Sequence, residues 1–225
     1  MPILSVIVPV YNEVKTVRDI LQKIESVPID KEIVVVDDGS IDGTDKLLRN
    51  LQYPGLKVIH HTNNRGKGAA VLTGLANATG EYLIIQDADL EYDPAEYLRL
   101  LECARSGNAD LVMGARFTKG YHGLFIPIWG NRFLTGLLNL LFGTRFNDYL
   151  TCYKLLRRDI LNSLALESTG FSIDTEIVAK MLKAKMRIKE VPISYSPRSY
   201  AQGKKIRIMD GIRHIGSILR YRFGR

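Results

Sequence analysis

Cysteine is scarce: the 225 residues hold two, Cys103 and Cys152. They form no CxxC pair and no metal-ligand spacing. That excludes a disulfide-stapled scaffold and a zinc module, and it fits two reduced thiols in a cytosolic protein. No apolar run approaches the ~20 uninterrupted residues of a membrane-spanning helix. The richest stretch, 124–142, is broken by Pro127, Gly130, Asn131 and Arg132 and reads as one or two amphipathic helices. No basic region precedes the first apolar stretch, so the N-terminus does not read as a signal peptide. Internal repeats, low-complexity tracts and Ser/Gly/Pro-rich linkers are also missing, and one domain over 1–225 is expected. No Gly-x-Gly-x-x-Gly follows the first strand, which removes the main support for a dinucleotide site. Gly66-Lys67 is followed by Gly68 rather than Ser or Thr, so there is no Walker A loop. No Ser/His/Asp constellation stands out; His60, His61, His122 and His214 read as surface or structural residues.

Charge is present but unevenly placed. The net charge is +7, and the stretch from Arg198 onward holds eight Lys/Arg against one acid, Asp210, which accounts for all of it. A local anionic partner is expected for that tail. Nucleic acid is the obvious rival, but no nucleic-acid-binding motif is present and no aromatics interleave with the basic residues in a stacking pattern.

The first half alternates short apolar runs with helical periodicity. Strands are expected at 3–8, 32–36, 56–59, 82–85 and 110–113. Helices are expected from Val14 to Ile24, from Asp42 as a candidate N-cap, over a small-residue stretch at 68–78, and at 94–105. This pattern predicts an α/β fold with a mostly parallel open sheet and helices on both faces. Ligands bind such sheets beyond the carboxyl ends of the strands. In the second half, 149–156 and 187–192 read as strands, 174–183 as a helix, and 206–223 as a basic amphipathic helix.

The polar clusters fall at strand ends. Asp87-Ala88-Asp89-Leu90-Glu91 ends the fourth apolar run with two carboxylates spaced by one. Hard cations such as Mg²⁺ or Mn²⁺ use one or two carboxylates plus phosphate oxygens; Glu91 is a third candidate ligand or holds a metal-bound water. A solvated acidic turn with Asp93 as N-cap is the alternative. Pro9-Val10-Tyr11-Asn12-Glu13 ends the first strand and Asp37-Asp38-Gly39-Ser40 the second, while Asn63-Asn64-Arg65-Gly66-Lys67-Gly68 leads into the third helix. Each has a bland reading as a turn or cap. Together they also describe a nucleotide-diphosphate pocket. Tyr11 can stack on a base, an Asp of the 37–38 pair can accept from base or ribose, the glycines allow close approach, and Lys67 can meet phosphate.

These segments, with Gly114-Ala115-Arg116-Phe117, Thr151-Cys152-Tyr153-Lys154-Leu155, Asp174-Thr175-Glu176 and the stretch from Glu190-Val191-Pro192-Ile193 through Arg198 to Lys205, resemble glycosyltransferase family 2 over nearly the whole chain. Within it they are similar to the dolichyl-phosphate mannose and glucose synthases and their bacterial polyprenyl-phosphate relatives. The resemblance implies a GT-A fold and inverting transfer of a hexose from a nucleotide-sugar, of the GDP-mannose or UDP-glucose type, to a polyprenyl phosphate such as dolichyl or undecaprenyl phosphate. It assigns Pro9, Tyr11, Glu13 and Asp38 to the nucleoside, and Asp87, Asp89 and Glu91 to the metal and diphosphate. Many mannose synthases carry Gln where this chain has Glu91. About 1–118 is then the nucleotide-sugar half and about 119–225 the acceptor- and membrane-facing half.

A phosphate acceptor is already an anion and needs no strong general base; it needs cations, for which Arg116, Arg132, Arg198, Lys204 and Lys205 are candidates. A glycan or soluble acceptor would need a base, with Asp174 or Glu176 the first suspects. Some relatives carry transmembrane helices after the catalytic domain. Without them, peripheral association with the cytoplasmic face of a membrane is expected, through the 124–142 segment, the basic tail and an anionic surface, or through a separate membrane subunit.

Overall fold

Consecutive rather than alternating apolar residues build the centre of the sheet. In β1 (Leu4–Val10) and β2 (Lys31–Asp37), neighbouring side chains that point to opposite faces are both buried, so both faces of the sheet are covered there. The structure of the chain, a computed structural model, describes residues 1–116, 125–198 and 208–224. Around β1 and β2 follow α1 (Val17–Ser26), α2 (Thr44–Arg49), β3 (Leu56–His60), α3 (Lys67–Ala76), β4 (Tyr82–Ile85), α4 (Tyr97–Ser106) and β5 (Leu111–Ala115). The second half adds α5 (Phe125–Phe142), β6 (Lys154–Arg157), α6 (Arg158–Leu164), α7 (Ile173–Lys183), β7 (Ile188–Pro192) and α8 (Ile208–Phe223).

The seven described strands form one sheet in the order β3-β2-β1-β4-β6-β5-β7. β1 pairs in parallel with β2 and β4, β2 with β3, and β5 with β7. Register aligns Val10 with Asp37 and Asp37 with His60, while Ile7 faces Ile85. The carboxyl ends of β3, β2, β1 and β4 therefore share one rim of the sheet, and the polar clusters follow those ends.

The small-residue character of α3 has a packing cause. A Cβ on Gly74 would sit 2.4 Å from Ile7 Cγ2, so α3 lies closer to β1 than a larger residue permits. Ala70 and Val71 are fully buried in the same interface. One apolar cluster runs from Leu4 on β1 to Ile218 on α8. Each fully buried Ile, Leu or Val in it contributes about 1.5–3 kcal/mol of burial energy.

Three elements differ from the sequence reading. The strand expected over 149–156 is confined to Lys154–Arg157. Tyr149 and Tyr153 are fully buried outside it, so apolar patterning alone marked them as strand. That strand runs antiparallel between β4 and β5, separating two strands that would be neighbours in an uninterrupted βα alternation. The helix α6 was not expected. Asp42 acts at the start of α2 as foreseen in kind, but from one residue further out. Its Oδ1 accepts from Thr44 N at 3.0 Å, and Gly43, at φ +98, occupies the cap position.

Candidate functional site

Four carboxylates and two cations gather beyond the ends of β1 and β4. Asp87 leaves β4 and meets Lys67, the first residue of α3, with Nζ 2.7 Å from Oδ1. Burial alone would lower the Lys67 pKa, but Asp87 and more distant acids outweigh it and hold the amine well above its ordinary range. Asp89 meets Arg198, whose Nη2 lies 3.0 Å from Oδ2. Glu13, just past β1, takes Nη1 of the same guanidinium at 3.1 Å. Glu91 accepts Arg198 N at 2.7 Å on Oε1 and the Tyr195 hydroxyl at 2.5 Å on Oε2.

Asp89 is shifted toward its protonated form. Burial first, then the charges of Asp87 and Glu91, push its pKa up to about 7, against the pull of Arg198. The turn that carries it is tight. Leu90 sits at φ +64, a conformation costly for a residue with a Cβ, and Glu91 N closes back onto Asp89 Oδ1 at 3.1 Å.

The residue types fit a hard divalent cation: carboxylate oxygens are its usual donors, and acids outnumber bases in the cluster. Their present orientation serves other partners. Asp87 faces Lys67, Asp89 faces Arg198 and Glu91 faces Tyr195. Among the described residues, no three His, Cys, Asp or Glu side chains are arranged to hold a metal ion. Asp87, Asp89 and Glu91 would hold one by exchanging those partners for it.

The second-strand pair shapes the adjoining loop. Asp38 is buried, accepting from Arg65 N at 2.9 Å and Gly66 N at 2.8 Å, with His61 Nδ1 at 2.7 Å. Asp37 faces His60 Nδ1 at 3.0 Å and Ser40 N at 3.1 Å. The histidines are thus structural partners of the aspartates. The glycines meet the protein's own backbone: a Cβ on Gly68 would lie 2.1 Å from Ser168 O, and one on Gly66 2.5 Å from Thr169 O. Pro9 lies within β1 opposite Val36, and Tyr11 follows the strand half-buried.

The candidate acceptor cations are dispersed. Arg116 is buried, and its Nε and Nη2 reach Asp148 at 2.6 and 2.8 Å. Burial would lower its pKa, but Asp148 raises it well above the ordinary value. The guanidinium lies 5.1 Å from the Tyr195 ring centre. Arg132 is exposed on α5. Lys204 and Lys205 lie outside the described residues. The two candidate bases are committed elsewhere. Asp174 accepts from the fully buried Lys154 at 2.7 Å. Burial would raise its pKa, but Lys154 and Lys67 hold it below the usual range. Glu176 accepts from Lys180 at 2.7 Å, Ser168 N at 2.7 Å and Glu167 N.

Sequence reasoning missed Asp148 and Tyr195. Neither belongs to a strand-end cluster, and only the fold brings them to Arg116 and Glu91.

Known proteins match this architecture. The family model described as Glycosyl transferase family 2 matches residues 5–165. A dolichol-phosphate mannosyltransferase from Pyrococcus furiosus is 29% identical over 96% of this chain and 64% of its own length. This chain thus spans just under two thirds of that relative. An undecaprenyl-phosphate mannosyltransferase from Micrococcus luteus is 28% identical over 88% of this chain and 85% of its own. Among solved structures, glucosyl-3-phosphoglycerate synthase from Mycobacterium tuberculosis, in complex with Mn²⁺, uridine diphosphate and phosphoglyceric acid, superposes with a TM-score of 0.76. It is 18% identical, with 99% of this chain and 79% of that one covered. The shared fold is GT-A.

Proposed function

The chain belongs to glycosyl transferase family 2, and from that premise we propose that it transfers a hexose, with inversion, from a nucleotide-sugar of the GDP-mannose or UDP-glucose type to a polyprenyl phosphate. The observation that carries the reading is the cluster of Glu13, Asp87 and Asp89 with Lys67 and Arg198 at the carboxyl rim of β1 and β4. That rim is where open α/β sheets bind ligands. The names of the Pyrococcus and Micrococcus relatives support the lipid phosphate, and the Mn²⁺–uridine diphosphate complex of the structural neighbour supports the donor class.

In this reading Tyr11 and Glu13 border the nucleoside, and Asp38 shapes its pocket by holding the 63–66 loop. Lys67 and Arg198 meet phosphate oxygens. Asp87, Asp89 and Glu91 would hold Mg²⁺ or Mn²⁺, which would supply positive charge to offset that of a leaving diphosphate. The sugar carbon becomes oxocarbenium-like, as in other glycosyl transfers. The acceptor phosphate attacks as an anion, so no side chain has to remove a proton. The commitment of Asp174 to Lys154, and of Glu176 to Lys180 and two backbone N–H groups, favours such an acceptor over a sugar hydroxyl. Arg116, Lys204 and Lys205 are assigned to the acceptor phosphate, with Arg116 oriented by Asp148.

We assign contact with the cytoplasmic face of a membrane to α5 and α8, which pack on each other. Trp129 and Phe133 on α5 are 67% and 63% exposed, and Met209 and Ile212 on α8 are 57% and 55% exposed. Arg132, Arg213 and Arg220 lie on the same helices, suited to anionic headgroups. No described helix is long and apolar enough to cross a membrane. A panel of UDP- and GDP-sugars with Mg²⁺ or Mn²⁺, read first by thermal shift and then by transfer to polyprenyl phosphate, tests the reading. Stabilisation by one donor and metal-dependent lipid product support it; transfer only to soluble glycans overturns the acceptor.

A further inference from the structure

Tyr195 lies three residues after Pro192, the last residue of β7, and the sequence gives it no role of its own. Its surroundings are nonetheless specific. The hydroxyl donates to Glu91 Oε2 at 2.5 Å, and the Arg116 guanidinium and the Tyr92 ring flank its ring with centres at 5.1 Å each. Arg116 is itself fixed by Asp148, and Asp148 N is fixed by Glu190 on β7 at 2.9 Å. The backbones of Tyr92 and Tyr195 form an antiparallel bridge, and Ser196 N donates to Glu91 O at 2.9 Å.

We propose that Tyr195 is a positioning residue: held between Arg116 and Tyr92, its hydroxyl fixes Glu91, and through Glu91 it sets the Asp87–Asp89 turn and the segment carrying Arg198 as one unit. The inference rests on the donor-site reading above and adds a residue to it. Glu91 is the junction. Its Oε2 receives the phenol, its Oε1 receives Arg198 N, and its own N–H closes onto Asp89. A carboxylate that is 9% exposed beside two other acids needs donors on its oxygens. Arg198 N supplies one such donor, and the phenol supplies the other. Without that donor, Glu91 is free to turn, and both the strained turn at Leu90 and the Arg198 backbone lose their common anchor.

The bland alternative is a ring that only fills space between Arg116 and Tyr92. Tyr195→Phe keeps the ring and removes the hydroxyl, so the variant is expected to melt within a few degrees of wild type. Binding of Mn²⁺ with UDP or GDP, measured by calorimetry, separates the readings when Tyr195→Phe, Glu91→Ala and the double variant are compared. Tyr195→Phe is expected to weaken Mn²⁺–nucleotide binding about five- to tenfold, and the double variant to bind no worse than Glu91→Ala alone. Effects that multiply in the double variant, or a Tyr195→Phe protein that binds like wild type, overturn the positioning role. Wild-type protein that binds neither Mn²⁺–nucleotide overturns the donor site itself.

Discussion

Arg198 Nη2 meets Asp89 Oδ2 at 3.0 Å although 109 residues separate them in the chain. The guanidinium bridges Asp89 and Glu13, so it stands among the carboxylates proposed to serve the metal and the donor. In the proposed role, a divalent cation would compete with this arginine for Asp89. Arg198→Ala is therefore expected to lower kcat at least tenfold with a short-chain, detergent-soluble acceptor, about 1.4 kcal/mol of transition-state stabilisation. Mn²⁺ binding, followed by electron paramagnetic resonance, should be no weaker than in wild type. An unchanged rate would remove Arg198 from the reaction.

The Arg116–Asp148 pair is buried on both sides and bonded through two guanidinium nitrogens. Breaking such a pair leaves one charge uncompensated and costs about 3–5 kcal/mol. Asp148→Ala should lower the urea midpoint accordingly. A loss within about 0.5 kcal/mol, the range of ordinary surface substitutions, would show that solvent replaces the pair.

Much of this site was legible before the fold was known. The five leading strands and the small-residue helix were visible because local periodicity encodes them, and the clusters at 9–13, 37–40 and 87–91 fell at strand ends. What could not be read is what only long-range pairing creates. Nothing local says that β6 inserts antiparallel between β4 and β5, or that Asp148 answers Arg116. Gly66 and Gly68 were read as room for a ligand, whereas the backbone at 168–169 lies against them. The acids were visible, but their partners Lys67, Arg198 and Tyr195 arrive from three different parts of the chain.

His214 on α8 offers a pH test of the helix packing. Its Nδ1 lies 2.7 Å from Thr175 Oγ1 on α7. Burial first, then Lys154 and Lys67, lower its pKa below 6.5, against Asp174 and Asp210. The unfolded chain takes up a proton as pH falls through about 6.5, and the folded chain does so only at lower pH. This contribution to stability is complete above that range and is lost on acidification. Melting curves at pH 7.5, 6.5 and 5.5 should show wild type losing more stability than His214→Asn over that interval. Parallel losses would mean that His214 is not held neutral by burial.

The membrane contact proposed for α5 and α8 rests on exposed apolar side chains beside exposed charge. Co-sedimentation with vesicles should require anionic lipid and weaken with salt, because surface charges are screened over ~8–10 Å at ordinary ionic strength. Replacing Trp129 and Phe133 by Ser should reduce binding further. Equal binding to neutral vesicles at high salt would assign the contact to apolar insertion alone.

The most direct test of the central claim is radiolabelled sugar transfer to polyprenyl phosphate, with Mn²⁺ or with excess chelator, for wild type and Asp89→Ala. The account predicts lipid-linked sugar from wild type with metal, none with chelator, and a rate lower by orders of magnitude for a folded Asp89→Ala. Equal turnover in chelator, or an Asp89→Ala protein as active as wild type, would contradict it.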